Sequence, residues 1–427
     1  MAVRDRFAHL LGHSGVRQRI VGPVAFDGLI LTTNLITGIV IARSLGPSGR
    51  GELAAILILM QTASWIFSMG AAEAVAYHQA RNPAHGGRLI VGWIVIMAPL
   101  TVLAIVVGEL LLPTLFGAQS AEAIDLGRLY LLLVGVPLLG IVFNAILLGD
   151  RRFTAYNSVR LLIPAQIAVG YLVLWPLGAL TVESALIVNA IATVTSTIVA
   201  ATACISRHGL DRPHPGLLNT TFTYGVKAHG GSLAGFVNAR LDLLIIPAFL
   251  AAASVGLYSV ATNVSSIIGT LTGTVAAIVL PVAAREDGGS SRVVIRTMHA
   301  VLLIGGTLGL ILILLAEPAL TLVYGEEFAD AAPALRILLP GEVLGACAAV
   351  ITSGHLAANR PFLSSVPYFL GAALTVGGLI IFLPDGDITT AATITTAAYT
   401  VVFVVSVVIY RRKTDLRWRQ FLRAPPS

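Results

Sequence analysis

Two residue types are almost missing from this chain: cysteine, present only as Cys204 and Cys347, and lysine, present only as Lys227 and Lys413. Both cysteines sit in apolar runs far apart in sequence, which excludes a disulfide framework and a CxxC metal cluster. Charge is scarce too. Only 11% of the 427 residues are charged, against roughly 25% in an ordinary soluble domain, so a water-soluble globular fold is excluded. No GxxxxGK[ST] phosphate loop occurs, and direct use of ATP by this polypeptide is not expected. The nine histidines show no HExxH or other metal spacing, and no nucleophile with a base and an orienting acid is found inside the apolar runs. The chain is therefore read as a non-enzyme without metal or cofactor. The first 20 residues hold Arg4, Arg6, Arg17 and Arg19 but no apolar run ending in a small-residue cleavage site, so no removable signal peptide is expected.

What is abundant is apolar. Hydrophobic residues make up 56% and mean hydropathy is +0.88. Runs of about 20 apolar residues recur along the whole length, matching a hydrocarbon core about 30 Å thick at 1.5 Å rise per residue. Lipid leaves open sheet edges unsatisfied, so the fold class is all-α, a polytopic membrane protein of about 12 transmembrane helices. The patterning predicts helices at about 20–42, 52–76, 89–112, 126–149, 158–176, 183–205, 226–249, 255–281, 297–323, 331–355, 363–383 and 389–410.

Positive charge tests that count, because cytoplasmic loops hold the excess of Lys and Arg. The N-terminus, the even-numbered loops (Arg81 and Arg88; Arg151, Arg152 and Arg160; Arg207, Arg212 and Lys227; Arg285, Arg292 and Arg296; Arg360) and the tail from Arg411 to Arg423 carry 22 of the 27 positive residues. The opposite side has Arg43, Arg50, Arg128 and Arg336 and is rich in acids such as Glu122, Glu326, Asp385 and Asp387. A miscounted helix would invert the alternation downstream. Both termini are accordingly expected in the cytoplasm, and the net charge of +6 needs no nucleic acid to explain it.

The chain also repeats itself. LGPSGRGELA from Leu45 and LAAASVGLYS from Leu250 lie 205 residues apart with Gly51 over Gly256, and Gly140 and Gly149 match Gly345 and Gly354 at the same offset. Gly117 to Arg128 and Gly325 to Arg336 share a spacing of 11 residues. Six helices per copy is an even number, so the two six-helix halves run parallel across the membrane. The expected division is a cytoplasmic segment 1–19, a first bundle 20–205, a cytoplasmic linker 206–225, a second bundle 226–410 and a cytoplasmic tail 411–427.

Three stretches carry a resemblance over almost the whole chain: IARSLGPSGRGELA, RLDLLIIPAFLAAASVGLYSVA (Arg240 to Ala261) and VYGEEFADAAPALRIL (Val323 to Leu338). With them the sequence resembles the polysaccharide-unit flippases of the multidrug, oligosaccharidyl-lipid and polysaccharide exporter superfamily. The resemblance implies a bacterial cytoplasmic-membrane transporter. It would move sugar units on a polyprenyl diphosphate from the inner to the outer leaflet by alternating access, driven by a coupling cation, proton or sodium. The implied partners are the lipid-linked oligosaccharide, membrane lipid and polysaccharide-assembly proteins.

A diphosphate headgroup stripped of water needs cationic and polar replacements, so polar residues inside spans are the candidates. Substrate contact is expected at Arg240, Asn34, Asn144 and Asn238, and coupling or gating at Glu342, Asp27, Asp242 and Arg43. Arg240 and Asp242 point about 200° apart on a helix, which predicts that they serve different faces. Several candidates have a plainer alternative. Arg240 would be paired structurally, Asp27 would be an interfacial acid partnered by a loop arginine, and Glu342 would be bonded to a neighbouring helix. Glu73 and His355 are read as structural, and Arg128 with Arg336 as anchors kept from the repeat. The rival functions are a drug or metabolite exporter of the same superfamily, favoured by an acidic cavity, a peptidoglycan-precursor flippase, and a membrane glycosyltransferase, for which the outer loops are too short.

Overall fold

The computed structural model describes residues 14–283, 291–357 and 361–414. Residues 1–13 of the expected N-terminal segment, 415–427 of the tail, and Arg285 and Arg360 lie outside the described residues. Among the described residues there is no strand. The helices are α1 Ser14–Phe67, α2 Ala71–Arg81, α3 Gly86–Leu115, α4 Ala121–Leu131, α5 Gly135–Gly149, α6 Phe153–Leu174 and α7 Val182–His208. There follow α8 Pro215–Ile245, α9 Ala252–Ala283, α10 Ser291–Leu314, α11 Ala316–Tyr324, α12 Ala332–Ala357, α13 Pro361–Phe382 and α14 Ile388–Thr414.

Eight described helices are long and apolar enough to cross a membrane, nine when α4 and α5, bent by 43°, count as one span. The first of these is two spans joined at Gly46, whose φ of 64° lies in the left-handed region that favours glycine. α8 and α9, of 31 and 32 residues, have the length of a span as well. The chain is a multi-pass membrane protein.

The expected boundaries shift where polar residues or breaks mislead. The seventh span starts at Pro215 rather than near 226, because a proline at the first helical position lacks only an N–H that would go unbonded anyway. The second span breaks between Phe67 and Ala71, where Met69 and Gly70 both adopt positive φ. The expected helix 297–323 divides at Leu315 into α10 and the short α11.

By contacts the chain forms two compact units. The first comprises Met1–Ser44, Ala63–Leu110 and Leu126–His229; the second comprises Leu45–Thr62, Leu111–Asp125 and Gly230–Ser427. Within the first, α5 packs on α2 and α7, and α6 on α7. A buried carboxylate ties the helix ends together. Asp150 accepts from Gln79 Nε2 at 2.6 Å and pairs with His208 Nε2 at 2.7 Å and Arg207 Nε at 3.5 Å. Within the second, α12 is the hub, contacted by α9, α10, α13 and α14.

The repeat is written into the second unit as a reciprocal contact. A Cβ on Gly51 would overlap the carbonyl oxygen of Ala252, and a Cβ on Gly256 would overlap that of Pro47. Pro47 and Ala252 are themselves 205 residues apart, so the two hairpins cross backbone to backbone with two-fold reciprocity. Around the crossing, Gln119 Nε2 donates to the carbonyls of Pro247 and Leu250 at 3.0 and 2.9 Å. A second equivalence appears in the ion pairs. Arg128 binds Glu109 at 3.4 Å in the first unit and Arg336 binds Glu317 at 3.7 Å in the second, in the same sequence relation. The anchor expected from the repeat is this acid–arginine pair; being half-exposed, each contributes little energy.

Candidate functional site

The second unit contains a cavity of about 260 Å³ walled by α8, α9, α12 and α14. Arg240, Asp242 and Glu342 all line it, together with Tyr399, Thr395 and Gly269. Ionisable groups within membrane-spanning helices are expensive and persist only where they are paired or face a cavity.

Asp242 is held hardest. The residue is 5% exposed. One oxygen accepts from the Leu243 amide at 2.8 Å; the other accepts from the Tyr258 hydroxyl at 2.7 Å and from Thr395 Oγ1 at 3.3 Å. Three donors thus replace water around a buried carboxylate, and they join α8, α9 and α14 at one point. Glu342 comes from α12, beside Pro340, which removes one backbone bond from that helix. Its Oε2 lies where a Cβ on Gly269 would stand 3.0 Å away, so the absence of a side chain there admits the carboxyl group. Arg240 is within electrostatic reach of both acids.

The expectation that Arg240 and Asp242 serve different faces is corrected by this arrangement. Ala239, Asp242 and Leu243 form one face of α8 at helical spacing, and Arg240, on the flank, also lines the same space. A cavity wraps around a helix more widely than the direction of a single Cα–Cβ bond suggests.

The other candidates are scattered. Asn238 is buried, with its Oδ1 close to Gly371, and is not among the residues lining the cavity. Asn144 in α5 donates to the Gly140 carbonyl of its own helix at 2.9 Å. Asn34 and Arg43 are exposed on α1. Asp27, also exposed, meets Arg160 of α6 at 3.1 Å, the arginine-partnered alternative for that acid. His355 is buried edge-on to Tyr410 at 5.2 Å between ring centres, within the packed core of α10, α12 and α14. Sequence reasoning passed over Tyr258, Thr395 and Tyr399, because hydroxyls are common in spans and nothing in the pattern marks these. It also counted Arg160 with the loop arginines. Among the described residues no group of three or more His, Cys, Asp or Glu side chains is arranged for a metal ion.

The cavity, lined by two acids and an arginine, thus lies among the membrane-spanning helices of the second unit. Residues 40–333 match the polysaccharide biosynthesis protein family, and the chain belongs to it. Among solved structures, the lipid II flippase MurJ in an inward-closed conformation is similar with a TM-score of 0.75 at 15% identity, over 94% of this chain and 89% of that one. An inward-facing multidrug resistance MATE family transporter of the MOP superfamily gives 0.74 at 16% identity, over 91% and 94%. A MOP superfamily transporter from Pyrococcus furiosus gives 0.58 at 16% identity, over 93% and 95%. At these identities the likenesses show a shared fold. No curated protein matches by sequence.

Proposed function

We propose that this protein flips polyprenyl-diphosphate-linked sugar units from the cytoplasmic to the outer leaflet of a bacterial inner membrane, by alternating access and with a cation as the driving partner. The family, whose description is polysaccharide biosynthesis, supports the glycan. The observation that carries the coupling is the cavity in which Asp242 and Glu342 stand with Arg240. Two carboxylates against one guanidinium suit a cation better than an anion. With that cavity vacant, Arg240 balances the acids. When a proton or sodium ion neutralises them, Arg240 is released toward an anionic headgroup, so cation and substrate occupancy are linked through one side chain. Asn34 and Asn144 add polar surface for sugars on the first-half helices, and Arg43 contributes to gating.

The test is transport of a fluorescent sugar-diphosphate-polyprenol in proteoliposomes under imposed proton or sodium gradients. Gradient-driven flux that is lost in Glu342→Gln and Arg240→Ala, in protein that still folds, is the expected result. Wild-type protein that moves no such lipid under either gradient sinks the reading. The excess of carboxylates also favours a second reading, export of a cationic drug or metabolite. Gradient-driven uptake of a cationic dye into inverted vesicles, absent for the lipid, would select it.

A further inference from the structure

The cavity of the second unit leaves a diphosphate headgroup short of positive partners, because its single arginine stands beside two acids. We propose, resting on the flippase reading above, that the Asp27–Arg160 pair of the first unit is a docking point for the diphosphate, whose oxygens displace Asp27 from the Arg160 guanidinium.

Arg160 lies about two turns into α6, not in the loop before it. Its own helix positions it. Asn157 and Tyr156, one turn earlier, place an amide oxygen 3.3 Å from NH1 and an aromatic ring under the guanidinium with its carbon 5.5 Å from the ring centre. Asn157 is 5% exposed, so this support is fixed in the packed interior of the unit. The third contact comes from another helix, where Asp27 Oδ1 of α1 lies 3.1 Å from NH2.

That third contact is the replaceable one. The side chains of Arg160 and Asp27 are 40% and 57% exposed, so the pair is accessible and not sealed in the packed interior. As a fold device such a pair is worth little, typically 0 to about 1 kcal/mol. Asp27 keeps the guanidinium neutralised while no ligand is present. A guanidinium offers five donors in a planar fork, of which two are engaged here. A diphosphate brings more charge and more acceptor oxygens than one carboxylate and binds such a fork bidentately. Exchange therefore gains contacts at Arg160, while Asp27, more than half exposed, is rehydrated on leaving.

The two halves of the pair then act in opposite directions on binding, which a merely structural ion pair does not do. Binding of a short-chain polyprenyl diphosphate to the purified full chain in nanodiscs is measured for wild type, Arg160→Gln, Arg160→Lys and Asp27→Asn. Neutral polyprenol of the same length is the control, and the melting temperature of each variant is recorded. Arg160→Gln should weaken the diphosphate lipid about tenfold or more, Arg160→Lys should weaken it less, and Asp27→Asn should tighten it several-fold, with polyprenol unaffected. Inorganic pyrophosphate added as competitor separates the sources. Competition in wild type but not in Arg160→Gln assigns recognition to the headgroup alone, and no competition assigns it to the membrane-anchored form.

Unchanged diphosphate affinity in Arg160→Gln, or parallel weakening in Arg160→Gln and Asp27→Asn, overturns the proposal. Should Arg160→Gln fail to fold, Asp27→Asn decides alone, and affinity that stays level or falls overturns it. Wild-type protein that moves the lipid while Arg160→Gln binds it normally defeats this site only. Wild-type protein that binds no diphosphate lipid defeats the flippase reading with it.

Discussion

Asp387 closes the N-terminus of α14. Its Oδ1 accepts from the Thr389 hydroxyl at 2.7 Å and from the Thr389 and Thr390 amides at 3.0 Å each, and these bonds hold its carboxyl below the usual carboxylate range. A lowered folded-state value means stability that is present above the unfolded carboxyl's value, near about 4, and lost as pH falls through the folded one. Asp387→Ala should therefore cost about 1 kcal/mol at neutral pH, and its deficit in detergent melting curves should shrink below about pH 4. At the same scale, the sequence marks Arg240, Asp242 and Glu342 because each is a charge inside an apolar run. It does not mark Tyr258 or Thr395, whose hydroxyls bond helices they are remote from in sequence. Arg160 was concealed by its neighbours Arg151 and Arg152, although Tyr156 and Asn157 at helical spacing were the available signal.

At the scale of the helix, close approach rather than apolar area decides where the hairpins cross. The Gly51 and Gly256 backbones occupy the space in which side chains would otherwise stand, as small residues do between membrane helices. Gly51→Ala and Gly256→Ala should each lower the melting temperature, and by similar amounts, since overpacking a tight contact costs typically about 1–3 kcal/mol. The double variant should cost less than the sum, because one displacement of the crossing relieves both clashes. A melting series that treats the two glycines as unequal and additive would contradict the two-fold relation. Spans were legible here from apolar length and alternating charge. The break at Met69 and Gly70 and the separate α11 were not, since backbone dihedrals inside an apolar run leave no mark on its hydropathy.

For the molecule as a whole, the arginine distribution specifies an orientation. Reporter domains fused to residue 1 and residue 427 should both be active on the cytoplasmic side, and one inserted next to Asp385 should be active only outside. Opposite reporters at the two termini would require an odd number of spans and dissolve the parallel repeat. Duplication was legible from a shared offset between otherwise weak matches. The division into compact units was not, because residues 45–62 and 111–125 group with the C-terminal stretch through contacts that no local pattern announces.

The reciprocity of the glycine crossing also bears on descent. Each hairpin's backbone is the mould for the other: a side chain on Gly51 would meet the main-chain carbonyl of Ala252, and one on Gly256 that of Pro47, atoms that no substitution at those positions removes. Repeated segments are ordinarily free to drift apart, yet here no side-chain change in one copy makes room for a side chain in the other, so both positions are held to glycine together.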